Sequence, residues 1–237
     1  VAEMAASALY FVRQLPPHLN FRDLAIPEAM QSIFAGLGDR LAYEGLKDYA
    51  LNTFFRSDVF VKGKPAPDEG TWLATTAFGM AGVEPPWTGE ALLPNHTLRY
   101  RGPIFEALVP ALREGATTLA ELAKRPELAS ADEARVRDAV LHLLLGGAIS
   151  PFAAPTRACT VGAERLRLAS AYNRHVAERA ASSDVPAVLA SRALGNGIRL
   201  TKPEAVALVA QVGELAVPRD PEMSARLAKL VELGVLA

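Results

Sequence analysis

Residues 103–152, PIFEALVPALREGATTLAELAKRPELASADEARVRDAVLHLLLGGAISPF, hold the clearest supersecondary pattern in the chain. Pro103–Glu114 reads as an amphipathic helix. Thr117-Thr118-Leu119-Ala120-Glu121 reads as a capping box, in which a hydroxyl and the later glutamate satisfy the amides that a helix start leaves exposed. Residues 131–145 form a third helical pattern, and Gly146-Gly147 turns the chain into a short strand over 148–152. Three helices in this order, with a short middle one and a terminal strand or wing, predict a winged helix-turn-helix. With its flanks, the expected class is mainly α, of the α+β type.

N-terminal to this block, the apolar run Leu9-Tyr10-Phe11-Val12 meets the breaker Leu15-Pro16-Pro17, as a strand or a helix end leading into a loop would. From Pro27 the pattern turns helical, with Met30, Ile33, Phe34, Leu37 and Leu41 at helical spacing. A second helical stretch runs through Leu46, Tyr49, Ala50 and Phe54, and the alternating residues 58–63 predict a strand ending in the turn Gly63-Lys64-Pro65. The many prolines and glycines of 63–100 predict strands and loops, including a strand at Thr71–Thr75. After the helical block come a polar helix over 164–181, the linker Ser182-Ser183-Asp184-Val185-Pro186, and an irregular element ending in Leu194-Gly195-Asn196-Gly197. Helices are expected over 203–215 and over 221–233, the last stopped by Gly234. No fixed-period repeat is visible. The expected units are 1–100, 101–157 and 158–237.

A chain of 237 residues, half of them hydrophobic and 22% charged, has the apolar content to fill two cores or more, so it is not a disordered tail. Its net charge of -1 and pI of about 6.5 supply no global field that recruits nucleic acid or anionic lipid. The single cysteine, Cys159, excludes an intramolecular disulfide and a multi-cysteine metal site, and fits a reducing compartment. No apolar stretch approaches the roughly 20 residues of a membrane span; the expected location is cytoplasmic. The start, Val-Ala-Glu-Met, has neither an initiator methionine nor a basic signal region, which suggests a piece of something longer.

Nucleotide or AdoMet binding needs a strand feeding a glycine-rich turn, so that backbone amides and a helix start can approach the ligand. Gly36-Leu37-Gly38 sits inside a helical pattern without a third glycine, and Gly195-Asn196-Gly197 is not followed by a helix start, so both read as tight turns. His18, His96, His142 and His175 are far apart, none with a ligand partner at i+3 or i+4, and each reads as a surface or half-buried histidine. There is no Gly-x-Ser-x-Gly, and Cys159, among Arg157, Ala158 and Thr160, reads as a small packing residue. A winged helix invites a DNA-binding alternative, that of a transcription regulator. Yet Asp132, Glu133, Arg135, Arg137 and Asp138 leave the first half of the third helix with one excess negative charge, which disfavours a duplex. No catalytic, cofactor-binding or metal residue is assigned.

One segment carries a family resemblance. Residues 43–61, YEGLKDYALNTFFRSDVFV, resemble the core motif of the regulatory domain of bacterial AdoMet-dependent methyltransferases, among them protein lysine methyltransferases. That motif is an Asp-aromatic-Leu-x-Asn-x-x-Phe-Arg run entering an apolar strand. Asp48, Tyr49, Asn52, Phe55 and Arg56 match it, and Thr53 stands where the family usually has arginine. The resemblance continues more faintly through the winged-helix segment and the Leu189 to Gly197 element. It implies a Rossmann-like catalytic domain that holds AdoMet and precedes this region in the same chain. This region then recruits or orients a protein substrate and gates the active site; pairing with a second copy is left open. For the motif itself, the expectation is structural rather than direct substrate contact: Phe55 and Tyr49 anchor the helix against its neighbour, and Arg56 bonds to Asp48 or to helix-end carbonyls.

Overall fold

The computed structural model describes residues 4, 6–63, 71–82, 87–154, 167–211 and 221–236 of a mixed α and β chain. Cys159, the first residues of the expected 164–181 helix and the end of the expected 203–215 helix lie outside the described residues, as do Lys64 and Pro65 of the turn after residue 63.

The N-terminal apolar run is a strand. β1 (Leu9–Leu15) pairs antiparallel with β2 (Ser57–Lys62), in a register running from Leu9 opposite Lys62 to Leu15 opposite Ser57, with a bulge between Phe11 and Arg13. Between the strands lie a 3-10 turn (Pro17–Asn20), α1 (Arg22–Ala25), a second 3-10 turn (Glu28–Met30), α2 (Gln31–Phe34) and α3 (Arg40–Ala50). The continuous helix expected from Pro27 to Leu41 is thus broken. Asp39 takes an extended conformation and accepts the amides of Leu41 and Ala42, at 3.4 and 2.9 Å, so a capped helix starts there. The apolar periodicity spanned two helices, and Ile33 and Leu41 are more than half exposed. Ala25, Ile26 and Phe34 form the small core of this unit, with Tyr43 edge-on to Phe34 at 5.4 Å and Leu46 packed alongside.

The central unit is built from α4 (Thr71–Thr75), β3 (Ala77–Gly79), the hairpin β4 (Glu90–Leu92) and β5 (Thr97–Arg99), α5 (Pro103–Glu114), α6 (Leu119–Leu122), α7 (Glu133–Leu145) and β6 (Ser150–Phe152). Thr71–Thr75, expected as a strand, is a helical turn. Leu73 is buried in the central core, Trp72 meets Phe78 edge-on at 6.3 Å, and the Thr76 amide closes the turn on the Trp72 carbonyl. The capping box is present: the Thr118 hydroxyl accepts the Glu121 amide at 3.3 Å, and Glu121 accepts the Thr118 amide at 2.8 Å. Those bonds, the Thr118 backbone amide first, hold the Glu121 carboxyl below its ordinary pKa. β3 pairs antiparallel with β6, and Phe78 also exchanges backbone bonds with Thr117, so β3 lies between two extended segments. Leu73, Phe78 and Tyr100 share one core with Leu108, Leu112, Val140 and Leu143.

The C-terminal unit consists of α8 (Ala171–Ser182), the hairpin β7 (Ala187–Ser191) and β8 (Asn196–Leu200), α9 (Lys202–Gln211) and α10 (Pro221–Glu232). The polar helix starts only at Ala171, where Ser170 caps the Asn173 amide at 3.1 Å and Leu168 is tied to Leu236 in a β-bridge. The element expected to be irregular is a hairpin, whose turn needs the positive φ of Gly195, +61°. Gly234, at φ +68°, ends the last helix as expected. Ala81 and Phe152 reach into this unit's core and join it to the central one. The β4–β5 hairpin reaches the other way, with the Asn95 amide donating to the Ala25 carbonyl at 2.9 Å.

Tyr100 shows how closely the central unit is fitted. Its hydroxyl donates to the His142 carbonyl at 3.2 Å, its ring stacks on Trp87 at 5.2 Å, and burial pushes its pKa up to about 12. The hydroxyl occupies the space that a Cβ on Gly146 would need, and Ala91 stands 2.9 Å from that point. Gly146→Ala should therefore lower stability by about 1–3 kcal/mol in thermal or denaturant unfolding, the usual cost of overpacking. Adding Tyr100→Phe, which removes the obstructing oxygen, should recover part of the loss.

Candidate functional site

The motif residues converge on the end of α3. Leu51 is the C-cap, and Asn52 follows in the left-handed region at φ +50°. The Thr53 amide donates to the Asp48 carbonyl at 2.9 Å and the Asn52 amide to the Tyr49 carbonyl at 3.2 Å. This pair of bonds is a Schellman motif, which satisfies carbonyls that the helix end would leave bare. Asparagine tolerates the left-handed conformation better than other residues with a Cβ, which gives Asn52 a backbone role. The turn reverses the chain and delivers Phe54, Phe55 and Arg56 to the entrance of β2.

Arg56 folds back under the helix. Nη1 donates to Asp48 Oδ2 at 2.7 Å, Nη2 to Glu44 Oε2 at 2.9 Å, and Nε to Asp58 Oδ1 at 3.1 Å. Asp48 was the expected partner; Glu44 and Asp58 were not foreseen. Glu44 is shared with the fully buried Lys47, whose Nζ lies 2.7 Å from Oε2 and also donates to the Leu19 carbonyl at 3.1 Å. Two cations and three carboxylates are thus joined, with one negative charge in excess. Burial works against the Arg56 charge, but hydrogen bonds to Asp48 and Asp58 outweigh it and hold the guanidinium pKa above its ordinary value. The Arg56 guanidinium also lies over the Phe11 ring at 5.6 Å, and Arg40 covers the same ring at 4.6 Å while donating to the Val12 carbonyl. Arg40, Glu44 and Asp48 recur at four-residue spacing and so form one stripe of α3. That spacing was the signal for Glu44 in the sequence; the long-range closure onto Arg56 had none.

The aromatic residues do not do what was expected of them. Tyr49 is 86% exposed, Phe54 82% and Phe55 93%, so neither Tyr49 nor Phe55 anchors the helix against a neighbour. The inward face of α3 is supplied by Tyr43, Leu46 and Ala50 instead. The reason is angular: positions 43, 46 and 50 line one side of the helix, and position 49 lies off it. Three large aromatic side chains are held in solvent beside a turn that is fixed at both ends.

Other sequence candidates are placed as follows. Gly36 and Gly38 lie between α2 and α3 with no strand before them, and Gly195 and Gly197 belong to a hairpin. Neither makes the strand-to-helix glycine turn that fits a nucleoside cofactor. His18, expected at the surface or half-buried, is buried, and desolvation lowers its pKa. Among the described residues no group of three histidine, cysteine, aspartate or glutamate side chains could hold a metal ion, and no helix is long and apolar enough to cross a membrane. The left-handed turn can be tested on its own. Asn52→Gly should leave the denaturant midpoint nearly unchanged, whereas Asn52→Val, β-branched at positive φ, should cost about 1–2 kcal/mol.

Comparison with known proteins bears on this segment directly. Residues 1–62 match the family described as "Predicted methyltransferase regulatory domain". An uncharacterized protein of Synechocystis sp. is 26% identical over 189 residues, covering 78% of this chain and 37% of that protein. The structure of PKMT2 from Rickettsia typhi superposes on 99% of this chain and 57% of its own, with a TM-score of 0.57 and 14% identity. The same protein in complex with AdoHcy superposes on 100% and 56%, with a TM-score of 0.61. The chain thus spans little more than half of the solved structures and about a third of the Synechocystis protein. Its fold is shared with a large part of a structure solved with AdoHcy, and its residues 1–62 are similar to the family described as a predicted methyltransferase regulatory domain.

Proposed function

We propose that this chain is a non-catalytic regulatory and protein-substrate-recruiting region of an AdoMet-dependent methyltransferase. Its partner is a catalytic domain that is absent from this sequence and belongs to the same protein. AdoMet belongs to that domain; the glycine turns described here do not suit it. The observation that carries the reading is the exposed edge Tyr49, Phe54 and Phe55, held by the Arg56 network inside the segment that matches the regulatory family. Large aromatic side chains in water bring a sizeable apolar area to a contact, and such residues dominate binding energetics at interfaces. Their rigid mounting lowers the entropy lost on docking.

In this reading α5, α6 and α7, with β3 and β6, form a winged helix-turn-helix used for packing and protein contact. What supports protein over DNA is the start of α7: Asp132 caps it, Glu133 sits in its first turn, and Arg137 is drawn to Asp138 at 3.6 Å. In this reading the module belongs to an enzyme of the cytoplasm, and the alternative of a transcription regulator is the less favoured one.

The test uses the native protein and tritiated AdoMet. Tyr49→Ser, Phe54→Ser and Phe55→Ser together should leave unfolding and AdoMet affinity nearly unchanged. They should reduce kcat/KM toward protein substrate by roughly 30-fold or more, the equivalent of one interface hot spot of about 2 kcal/mol. Unchanged methylation by the triple variant, or no methyl transfer to protein by the parent, would overturn the reading.

A further inference from the structure

Away from the N-terminal segment, residues of the central and C-terminal units line an open cavity of about 710 Å³. Its walls come from the Met80 and Gly82 segment, the β4 strand and Trp87 before it, the Gly146-Gly147-Ala148 turn after α7, Arg113 of α5 and Lys229 of α10. The volume falls inside the range of small-molecule sites, about 300–1,000 Å³, and so does the character of the lining, mostly apolar with a few charged groups.

Each wall is fixed by bonds already in place. The Met80 amide donates to the Leu112 carbonyl at 2.9 Å, which ties that wall to α5 next to Arg113. Trp87 is held by its stack on Tyr100, and Tyr100 in turn is seated against Gly146. The turn after α7 is closed by two backbone bonds, from Gly147 to the Leu144 carbonyl and from Ala148 to the Leu143 carbonyl. Leu92, 79% exposed, stands among the apolar residues of the lining.

The charged groups are not equivalent. Lys229 is paired with Glu232 at 2.9 Å, and the neighbouring Glu114 is taken by Arg125 at 2.9 Å. Among the described residues Arg113 has no carboxylate partner, and Glu90 is the one acidic side chain that it shares the cavity with. A place in the last turn of α5 favours a cation there through the helix dipole. The Arg113 guanidinium stands at the solvent-exposed edge of the cavity and, among the described residues, is the cation of the lining that no carboxylate occupies. A guanidinium binds a carboxylate through two parallel hydrogen bonds, a fork that an ammonium such as Lys229 does not offer.

We propose that this cavity binds a small amphipathic carboxylate, with its apolar body against Trp87, Ala91, Leu92 and Met80 and its carboxylate on Arg113. Arg113 supplies selectivity for the anion, and the apolar lining supplies most of the affinity. The site stands independently of the methyltransferase reading.

Trp72 and Trp87 are the two tryptophans of the chain, so Trp72→Phe leaves Trp87 as the single reporter. Octanoate and octan-1-ol, equal in chain length and different in charge, are titrated against its emission. The expected result is a saturable change with both, and at least tenfold tighter binding of octanoate. Arg113→Gln, at an exposed position, should abolish that preference while octanol binding remains and the circular dichroism is unchanged. Absence of saturation with octanoate, equal affinity for the two probes, or a preference that survives Arg113→Gln would overturn the proposal.

Discussion

One guanidinium holds the N-terminal segment together. Arg56 is shared among Glu44 and Asp48 of α3 and Asp58 of β2, so it ties the helix to the β-ribbon across a junction that has little apolar surface to offer. A two-stranded ribbon is marginal by itself. The core beside it is small, with three buried side chains at its centre. Charge here does part of the work that packing does in a larger domain. Lys47 extends the network inward: a fully buried ammonium is tolerable only because Glu44 and the Leu19 carbonyl receive it.

The same arrangement explains why the motif contains aromatic residues that face water. Between the Schellman turn at Asn52 and the ion pairs of Arg56 there is little freedom left for the backbone of residues 53–55. Side chains mounted on such a segment are presented in a set direction, and in water they have no contact of their own to make. This pairing of fixed and exposed groups lies within residues 1–62, the stretch that matches the regulatory-domain family.

Much of the architecture was legible in local chemistry. The capping box at Thr118, the glycine stop at Gly234 and the bounds of Pro103–Glu114 follow from groups that a helix end must satisfy within a few residues. Readings failed where tertiary contacts decide. Thr71–Thr75 has strand-forming residues but closes as a helical turn because Leu73 and Trp72 pack around Phe78. The apolar spacing of Ile33, Phe34, Leu37 and Leu41 looked continuous because periodicity does not register a cap at Asp39. In the site, the Asp48–Arg56 bond could be anticipated from two opposite charges in one motif. The exposure of Tyr49 and Phe55 could not, since a hydrophobic side chain in a motif gives no sign of which face it occupies.

Arg56 holds α3 and the ribbon together as an ionic hub. This role is tested most directly by equilibrium unfolding of Arg56→Met and Arg56→Lys. Arg56→Met should leave three carboxylates with Lys47 as their one remaining cation and cost about 3 kcal/mol, near the lower end for a partly buried network. Arg56→Lys should recover only part of this, because an ammonium cannot reproduce the fork that reaches all three acids. An Arg56→Met chain that unfolds at the parent's denaturant midpoint would contradict the account.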